Sequence, residues 1–582
     1  MEYRLYFLQP NRQFLDVEFI LTGPFNEKEL VKLPQWRPGR YELGNFAKNV
    51  RNWRVMDEVG NPLPFSKVAQ DSWEILPGTA KKLIICYQYY AAELNAGSTW
   101  LDHQQLYVNP VNCLMYHPER MLEKCNLKVE VPVGYKIACG LNVQTRKEDF
   151  VRWVYHFVAD DFHQLADSPF IASADLQHNI FVLDGVEFNI WIQGEFKPDW
   201  SLILGDFFIF INEQMVMFKG FPHSEYHFLI QVLPYPAYHG VEHCNSTVIT
   251  IGPGFQLNKK ILYDELLGVS CHELFHVWNV KHIRPADMLP YDYSKQNYSR
   301  LGYVYEGITT YYGDFLLYRS GVFSDEDYFK TFDEQIKKHF HNHGRKNYSV
   351  AESSFDTWLD GYTPGVPGRK VSIYTEGCLI AFMTDILIRQ VTNDKKSLDD
   401  VMRTLWEEFG QKKIGYTERD YQNIVESVSG VNWNEFFKMY VNGSFNFKWP
   451  LRACLEYLGL DLSLVPAERP YEALLGFKVM EGNPENIVSA LYPNGVAEVM
   501  GLMLKDKIVA VNGIEVKNNL IDLCNYVYPG TFEITVQRFG KEKKFVLETV
   551  SRLFYRNYKI TKNSAATEAQ KARYFSWCGR VF

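Results

Sequence analysis

The sequence predicts a multidomain α+β protein, and three observations support this fold class. Its 582 residues correspond to roughly four domains at ~150 residues each. Residues 1 to about 180 alternate between apolar and polar side chains in the manner of strands. From about 185 to 457 apolar residues recur mostly at helical spacing, and a separate stretch of short strands follows.

The composition indicates a globular chain, since 46% of its residues are hydrophobic and 15% are aromatic. The net charge of −8 is spread along the chain without a basic stripe, so nucleic acid is not an expected partner. We expect no membrane span, because no apolar run approaches the ~18 residues of a membrane helix. No signal peptide is visible at the start. The expected location is cytoplasmic, or periplasmic if a signal peptide was removed.

The ten cysteines are scattered and never form Cys-x-x-Cys. This pattern favours reduced, mostly buried thiols over a disulfide framework or a thiolate zinc site. Residues 1–180 form a predicted β-sandwich-like domain, with period-2 patterns at 14–21, 83–90 and 127–131. Its Trp-Arg-Pro-Gly-Arg-Tyr segment at 36–41 is interpreted as a structural turn, although it could also form a wall for a substrate.

The central domain, residues 181–457, contains the motif around which the chain is organised. His272, Glu273 and His276 form His-Glu-x-x-His within a mostly apolar helix. Residues four apart lie on one helix face, so both imidazoles can bind one metal ion, and Glu273 can act as a base toward water. The alternative is a buried helix with two satisfied histidines, which we disfavour because buried polar groups need partners.

A catalytic zinc site needs a third protein ligand. Glu306 is the leading candidate, because a carboxylate among apolar and aromatic neighbours must be paired or bind metal. Asp314 could orient a ligand histidine or could be a surface aspartate. A rival cluster of three histidines at 339–343 follows a polar helix, and we interpret it as a solvated loop.

Two further residues have open interpretations. Glu242, in a predicted edge strand just before the metal helix, could hold the free α-amino group of a peptide or could be an exposed strand glutamate. Tyr374, at the start of a buried helix, could stabilise an oxyanion or could be a core tyrosine.

The segments at 272–285 and 305–313 resemble motifs of the M61 metallopeptidases, the glycyl aminopeptidase family. The resemblance to this family extends over nearly the whole chain. This resemblance implies a thermolysin-like α/β catalytic domain of the gluzincin type with an α-rich lobe, related to the M1 aminopeptidases. It also implies one Zn²⁺ per chain, held by His272, His276 and Glu306, with Glu273 as the base.

Shorter segments match other family motifs. Residues 36–41 are similar to a feature of the family's N-terminal β domain. Gly-Val-Glu-His at 240–243 is similar to the family's Gly-Gly-Leu-Glu-His, which implies that Gly240, Glu242 and His243 bind substrate and that Glu242 anchors the α-amine. Tyr-Thr-Glu-Gly at 374–377 is similar to Tyr-x-Lys-Gly, which implies that Tyr374 stabilises the tetrahedral intermediate.

Two departures from these motifs bear on specificity. His239 stands where the family has a glycine, and Glu376 replaces a lysine. Both could alter the preference for N-terminal glycine or alanine, and neither removes the metal chemistry.

Residues 458–550 resemble a PDZ domain of the bacterial protease type, with Lys505 in place of a usual glycine. Leu475, Gly476 and Phe477 would form the loop whose N–H groups hold a terminal carboxylate, or the unit could be a structural cap. Residues 551–582 are a predicted helical tail.

The expected function is a zinc aminopeptidase acting on peptides with a free N-terminus, with a preference for small residues such as Gly or Ala. Peptide C-termini would be further partners if the PDZ domain binds ligand. Two alternatives remain open: a zinc endopeptidase with PDZ-delivered substrate, and a non-catalytic PDZ peptide-binding protein.

Overall fold

The computed structural model describes residues 1–363, 365–480 and 485–582. The N-terminal region is rich in strands, as predicted. A seven-stranded sheet in the order β12-β13-β10-β1-β2-β7-β4 packs with smaller sheets in the orders β11-β14-β9-β8 and β3-β6-β5. Its elements are β1 (Glu2–Tyr6), β2 (Phe14–Thr22), β3 (Glu29–Lys32), β4 (Val50–Met56), β5 (Phe65–Ala69), β6 (Ser72–Ile75), β7 (Lys82–Tyr90), β8 (Trp100–Leu101), β9 (Gln105–Val108), α1 (Pro110–Cys113), β10 (Cys125–Pro132), β11 (Lys136–Cys139), β12 (Val143–Glu148), β13 (Arg152–Ala159), α2 (Phe162–Ala166) and β14 (Phe170–Ser173).

A mixed five-stranded sheet in the order β15-β16-β17-β19-β18 begins the central region. Its strands are β15 (Gln177–Leu183), β16 (Val186–Gln193), β17 (Glu225–Val232), β18 (Ala237–Glu242) and β19 (Ser246–Gly252). The inner strands β16, β17 and β19 are parallel, and β17 and β19 are buried along nearly their whole length, as in sheets covered on both faces. β18 lies at the edge, antiparallel to β19, so Glu242 stands at the end of an edge strand as predicted.

Helices cover this sheet and form the lobe that follows it. They are α3 (Trp200–Phe218), α4 (Lys260–Phe275), α5 (Thr309–Ser320), α6 (Asp325–His341), α7 (Val350–Phe355), α8 (Thr357–Asp360), α9 (Ile373–Thr392), α10 (Leu398–Leu405), α11 (Glu418–Ser429), α12 (Asn434–Phe436) and α13 (Lys448–Tyr457). A π-helical segment, Tyr303–Ile308, leads directly into α5.

In the described part of the chain, α3 is long and apolar enough to cross a membrane by length and composition alone. The sequence predicts no such segment, and the structure shows that α3 carries two charged residues, Asp206 and Glu213. Those two criteria are weak evidence, since the core helix of a globular domain also meets them. Here α3 packs against α4, and Gln214 Nε2 donates to Cys271 O at 2.8 Å.

The C-terminal region has a hydrophobic core of its own, built from residues between 471 and 547. Its elements are β20 (Leu460–Pro466), β21 (Phe477–Val479), β22 (Val488–Leu491), α14 (Val496–Val499), β23 (Lys507–Val511), β24 (Ile514–Glu515), α15 (Leu520–Val527), β25 (Thr531–Arg538), β26 (Lys541–Glu548), β27 (Arg556–Lys562) and α16 (Glu568–Cys578). The tail predicted as helical therefore contains the strand β27, which pairs with β20, as well as α16. Trp577 of α16 donates from Nε1 to the hydroxyl of Tyr311 in α5, which joins the tail to the helical lobe.

Candidate active site

The two motif histidines lie at the C-terminal end of α4. His272 is in its last turn and His276 immediately follows it in helical conformation. Their Nε2 atoms are 3.1 Å apart. His276 donates from Nδ1 to the carbonyl oxygen of Asn279 at 2.6 Å, so Nε2 is the ring atom that faces His272 and Glu306. The spacing of four residues thus places both imidazoles on one side of the helix end, as predicted.

Glu306 is brought to the same point by the π-helical segment. Its Oε2 lies 3.4 Å from His276 Nε2 and 3.9 Å from His272 Nε2. One ligand atom from each of the three residues falls within 4.8 Å of the others. The structure therefore assembles the two histidines and the distant carboxylate proposed as metal ligands.

The π-helical turn explains how Glu306 reaches the histidines. A π turn releases backbone carbonyls from regular helical bonding, and such turns often occur at functional sites. Asn279 Nδ2 donates to the carbonyl of Val304 at 3.0 Å, and Thr309 Oγ1 donates to that of Tyr305 at 2.7 Å. Asn279 therefore orients His276 through its own carbonyl and holds the ligand-bearing turn through its amide.

The donor set fits a divalent zinc ion. Two imidazole nitrogens and one carboxylate oxygen match a catalytic zinc site that keeps one position open. The charges of these side chains also suit a cation. Burial alone would lower the pKa of His276, but the neighbouring Glu306 carboxylate outweighs burial and raises it to about 10. Without a metal, a proton therefore holds these two side chains together.

Metal uptake must displace that proton. We expect Zn²⁺ binding to the metal-free protein to release protons and to tighten with rising pH below the pKa of His276, by up to about tenfold per pH unit for each proton displaced. Calorimetry in buffers of different ionisation enthalpy measures the release. An affinity that does not change with pH would contradict the protonated His276–Glu306 pair.

Glu273 lies beside His276, with ligand atoms of the two side chains within 4.8 Å of each other. It is 6% exposed, and its Oε2 has no hydrogen-bond partner among the described residues. Burial raises its pKa to about 8, and the carboxylates of Glu242 and Glu306 add to this effect. An unpartnered buried carboxylate with a raised pKa is suited to accept a proton.

Gly240, predicted to bind substrate, lies directly behind Glu273. A Cβ atom at Gly240 would stand 2.1 Å from Glu273 Oε1. The glycine at this point of β18 thus leaves room for the Glu273 carboxylate, and any contact with substrate stays a prediction.

We expect Gly240→Ala to displace Glu273 and to lower kcat by about 100-fold, the cost of moving a catalytic group by ~1 Å. Steady-state kinetics with metal analysis checks this, because the zinc content should stay unchanged. Gly205→Ala is the matched control, since a Cβ there meets nothing within 4 Å. Near-normal kcat in Gly240→Ala would show that Glu273 has room to move.

Glu242 is buried at the end of β18, and one of its oxygens, Oε1, has no hydrogen-bond partner among the described residues. Ligand atoms of Glu242, Glu273 and His276 lie within 4.8 Å of one another. The turn at 36–41 lies against it, because a Cβ at Gly39 would be 2.5 Å from Glu242 Oε2. This turn therefore forms part of the site, whereas we had favoured a purely structural role.

Three tyrosines surround Glu306 on the side away from the histidines. Tyr41 donates its hydroxyl to Glu306 Oε1 at 3.0 Å, and the hydroxyl of Tyr362 accepts the Tyr41 N–H at 3.3 Å. Tyr374, in the first turn of α9, lies near Tyr362 and Glu306, and burial together with these two groups raises the pKa of its phenol. Gly307 and Gly377 allow α9 to approach this closely, since a Cβ on Gly307 would lie 2.3 Å from the Cα of Gly377.

Two other predicted site residues lie further out. His243 Nδ1 contacts Asp167 Oδ1 at 3.1 Å, so this ring supports the turn after Glu242, and a direct role with substrate stays a prediction. Burial raises the pKa of Asp314 to about 6, and its carboxylate contacts Thr331. Orientation of a ligand histidine by Asp314 also stays a prediction, because the Nδ1 of His276 already uses Asn279.

The histidines at 339–343 do not form a solvated loop, in contrast to our interpretation. His339 and His341 belong to the last turns of α6, and His339 is buried in contact with Glu376. His341 receives a hydrogen bond from Lys478 Nζ at 2.9 Å. Glu376, which departs from the family motif, is therefore paired with His339 inside the protein and is not left as a free charge.

The C-terminal loop predicted to hold a carboxylate is partly committed to internal contacts. Leu475 and Phe477 are fully buried, and the Gly476 N–H donates to the carbonyl of Tyr471 at 3.0 Å. A Cβ at Gly476 would be 3.1 Å from the ring of Phe554. Ligand binding at this loop stays a prediction.

Two family models match the sequence. The M61 glycyl aminopeptidase model matches residues 265–380, which include the histidines, Glu273, Glu306 and Tyr374. The peptidase M61 N-terminal domain model matches residues 2–174. None of the curated proteins compared with the chain matches it.

Solved structures show the same fold. An aminopeptidase N family protein from Idiomarina loihiensis is 24% identical, with a TM-score of 0.88 over 99% of both chains. An M1 zinc metallopeptidase mutant from Deinococcus radiodurans, bound to a Tyr-Ser-Ala substrate, is 13% identical, with a TM-score of 0.50 over 76% of this chain and 94% of that one. On the strength of the two family models, this chain belongs to the M61 family of metallo-aminopeptidases.

Proposed function

We propose that the protein is a zinc-dependent aminopeptidase that hydrolyses the first peptide bond of peptides with a free, small N-terminal residue. The observation that carries this proposal is Glu242, a buried carboxylate with an unpartnered oxygen beside Glu273 and His276. A buried carboxylate without a partner is costly. The α-ammonium group of a peptide would supply the missing partner through a charge-assisted hydrogen bond.

The distances favour cleavage at the chain end. The carboxylates of Glu242 and Glu273 and the ring of His276 share a space in which their ligand atoms are within 4.8 Å. An ammonium group on Glu242 therefore leaves room for about one residue before the reacting carbonyl. A longer stretch of peptide cannot fit between the anchor and the metal ligands, which supports exopeptidase action.

Each side chain then has a definite role. Zn²⁺ held by His272, His276 and Glu306 would polarise the scissile carbonyl and acidify water. Glu273 accepts the proton from water and returns it to the leaving amine. Tyr374 donates a hydrogen bond to the developing oxyanion, and Glu242 fixes the amino end throughout.

Small N-terminal residues are proposed because the space beside the anchor is crowded. Arg37 is 5% exposed, and its Nη2 lies 3.4 Å from His239 Nε2. Burial, with Arg37 and Arg40 nearby, lowers the pKa of His239 to about 3, so its imidazole is neutral. A neutral ring next to a buried guanidinium occupies volume that a large side chain would need.

The test compares free and N-acetylated glycyl, alanyl and phenylalanyl p-nitroanilides with wild type, Glu242→Ala and Glu242→Gln. A hydrogen bond to a charged group contributes ~1.5–3 kcal/mol, so we expect kcat/KM for free amines to fall about 10–100-fold in both variants. Hydrolysis of acetylated substrates should stay equally low in all three proteins. Glutamine keeps the shape of glutamate, so the pair separates loss of charge from loss of packing.

If both variants kept the preference for free amines, the aminopeptidase proposal would fail. Efficient hydrolysis of acetylated substrates by the wild type would instead support the endopeptidase alternative. Wild type that prefers phenylalanyl to glycyl and alanyl substrates would overturn only the proposed preference for small residues.

We also propose a thermolysin-like arrangement for the catalytic region and a PDZ-like fold for residues 458–550. The sheet β24-β23-β25-β26, the hairpin β21-β22 and the helix α15 around a separate core support the second assignment. A capping role is favoured over carboxylate binding, because the Gly476 N–H already has an acceptor.

A further inference from the structure

A second group of potential metal ligands shares no residue with the set formed by His272, His276 and Glu306. It consists of His223, Cys244 and His282, which we call the Cys-His-His cluster. One ligand atom from each falls within 4.8 Å of the others, and Cys244 Sγ is 3.5 Å from His223 Nε2. All three side chains are half-buried, so an ion could reach them from solvent.

Three separate turns supply these residues. His223 precedes β17, Cys244 lies in the turn between β18 and β19, and His282 follows the metal-binding motif. Among the described cysteines, Cys244 is the one that is not fully buried. The cluster is therefore formed by tertiary structure. Its residues have neither the Cys-x-x-Cys nor the His-x-x-x-His spacing that would predict a metal site from sequence.

Hydrogen bonds orient two of the three ligands. His282 donates from Nδ1 to the carbonyl of Val277 at 2.6 Å, which leaves Nε2 as its ligand atom. Backbone support for a ligating imidazole is the usual arrangement at metal sites. The backbone N–H of Cys244 donates to Asp167 Oδ2 at 2.9 Å, which fixes the turn that carries the thiol.

We propose that the Cys-His-His cluster binds a second divalent cation of the borderline-soft class, of which Zn²⁺ is the biological example. One thiolate and two imidazoles form a ligand set that such cations prefer, and hard cations such as Mg²⁺ and Ca²⁺ require oxygen ligands instead. Three protein ligands leave one position open to water.

A cation that binds at the cluster must compete with the proton on the Cys244 thiol. Burial, reinforced by Asp167, raises the pKa of the Cys244 thiol to about 11, although Lys281, Arg284 and Lys413 oppose this. Burial also lowers the pKa of His282 to about 4, so this imidazole is neutral and available as a ligand. The cation thus replaces a single thiol proton.

A cation bound at the Cys-His-His cluster would link two segments that lie next to the proposed active site. Cys244 is two residues after Glu242, and His282 is six residues after His276. A bound cation would join the turn next to the amine anchor to the segment that follows the catalytic motif. We therefore expect occupancy to raise the melting temperature of the protein.

The experiment titrates metal-free protein with Co²⁺ and records absorption, followed by metal analysis after loading with Zn²⁺. Wild type should bind two ions per chain and show a thiolate-to-cobalt charge-transfer band. Cys244→Ser should lose the band and one ion. The double variant His272→Ala/His276→Ala should lose one ion and keep the band, which separates this cluster from the catalytic site.

Cys86→Ser is the matched control, because Cys86 in β7 lies beside Arg54 rather than beside histidines. It should retain both ions and the band. His282→Asn provides a second variant if Cys244→Ser fails to fold, and it should also lose one ion. A wild type that binds one ion without a charge-transfer band, or a Cys244→Ser variant that keeps the band, would overturn the proposal.

Discussion

Glu273→Gln is expected to lower kcat by about 10²–10⁴-fold, the usual contribution of a general acid–base group. The substitution is nearly isosteric, so the packing of this side chain against Gly240 is kept. Its amide cannot accept a proton from water. The zinc content should not change, because the proposed ligand set is His272, His276 and Glu306. Single-turnover kinetics with metal analysis measures both quantities.

Glu265→Gln is the control for this variant, because Glu265 lies exposed on the same helix. It should be as active as wild type. If Glu273→Gln retained more than about a tenth of wild-type kcat, proton transfer would have to be assigned to another group.

The same carboxylate sets the acid limb of the pH profile. In the proposed mechanism Glu273 accepts a proton only when it is ionised, so activity should rise with pH as it loses its proton. Burial raises its pKa to about 8 in the metal-free site. A bound cation favours the ionised form and lowers that pKa. We therefore expect an acid limb with a midpoint below 8 in the zinc-loaded enzyme and its absence in Glu273→Gln.

The parts of the site that depend on short-range spacing could be predicted from sequence. His272 and His276 are four residues apart, so helix geometry alone places them together. Glu306 was identified because an acidic residue in an apolar segment needs a partner. In both cases the local sequence contains the physical reason.

The parts that depend on long-range packing could not be predicted in this way. Tyr41 reaches Glu306 across 265 residues of sequence, and its motif resembles an ordinary turn. Tyr362 and Asn279 likewise carry no local signal for contact with the ligand set. The polar composition around the three histidines at 339–343 predicts a loop, whereas His339 and His341 lie in the last turns of α6.

Tyr374→Phe is expected to lower kcat by about 10²–10³-fold with little change in KM, because in the proposed mechanism its hydrogen bond forms to the oxyanion and not to the bound substrate. Burial, with Glu306 and Tyr362 nearby, raises the pKa of Tyr374 well above its ordinary value, so the phenol keeps its proton as a donor. The basic limb of the pH profile should therefore be unchanged in the variant.

Tyr362→Phe distinguishes the two neighbouring hydroxyls, since Tyr362 also lies close to Glu306 and its pKa is raised to about 12, mainly by burial. The Tyr362 hydroxyl accepts the backbone N–H of Tyr41, which indicates a role in holding the turn at 36–41. We therefore expect a loss of less than about tenfold in kcat, in keeping with one neutral hydrogen bond of ~1 kcal/mol. If Tyr362→Phe proved the more severe variant, the oxyanion donor would be Tyr362, and Tyr374 would instead orient it.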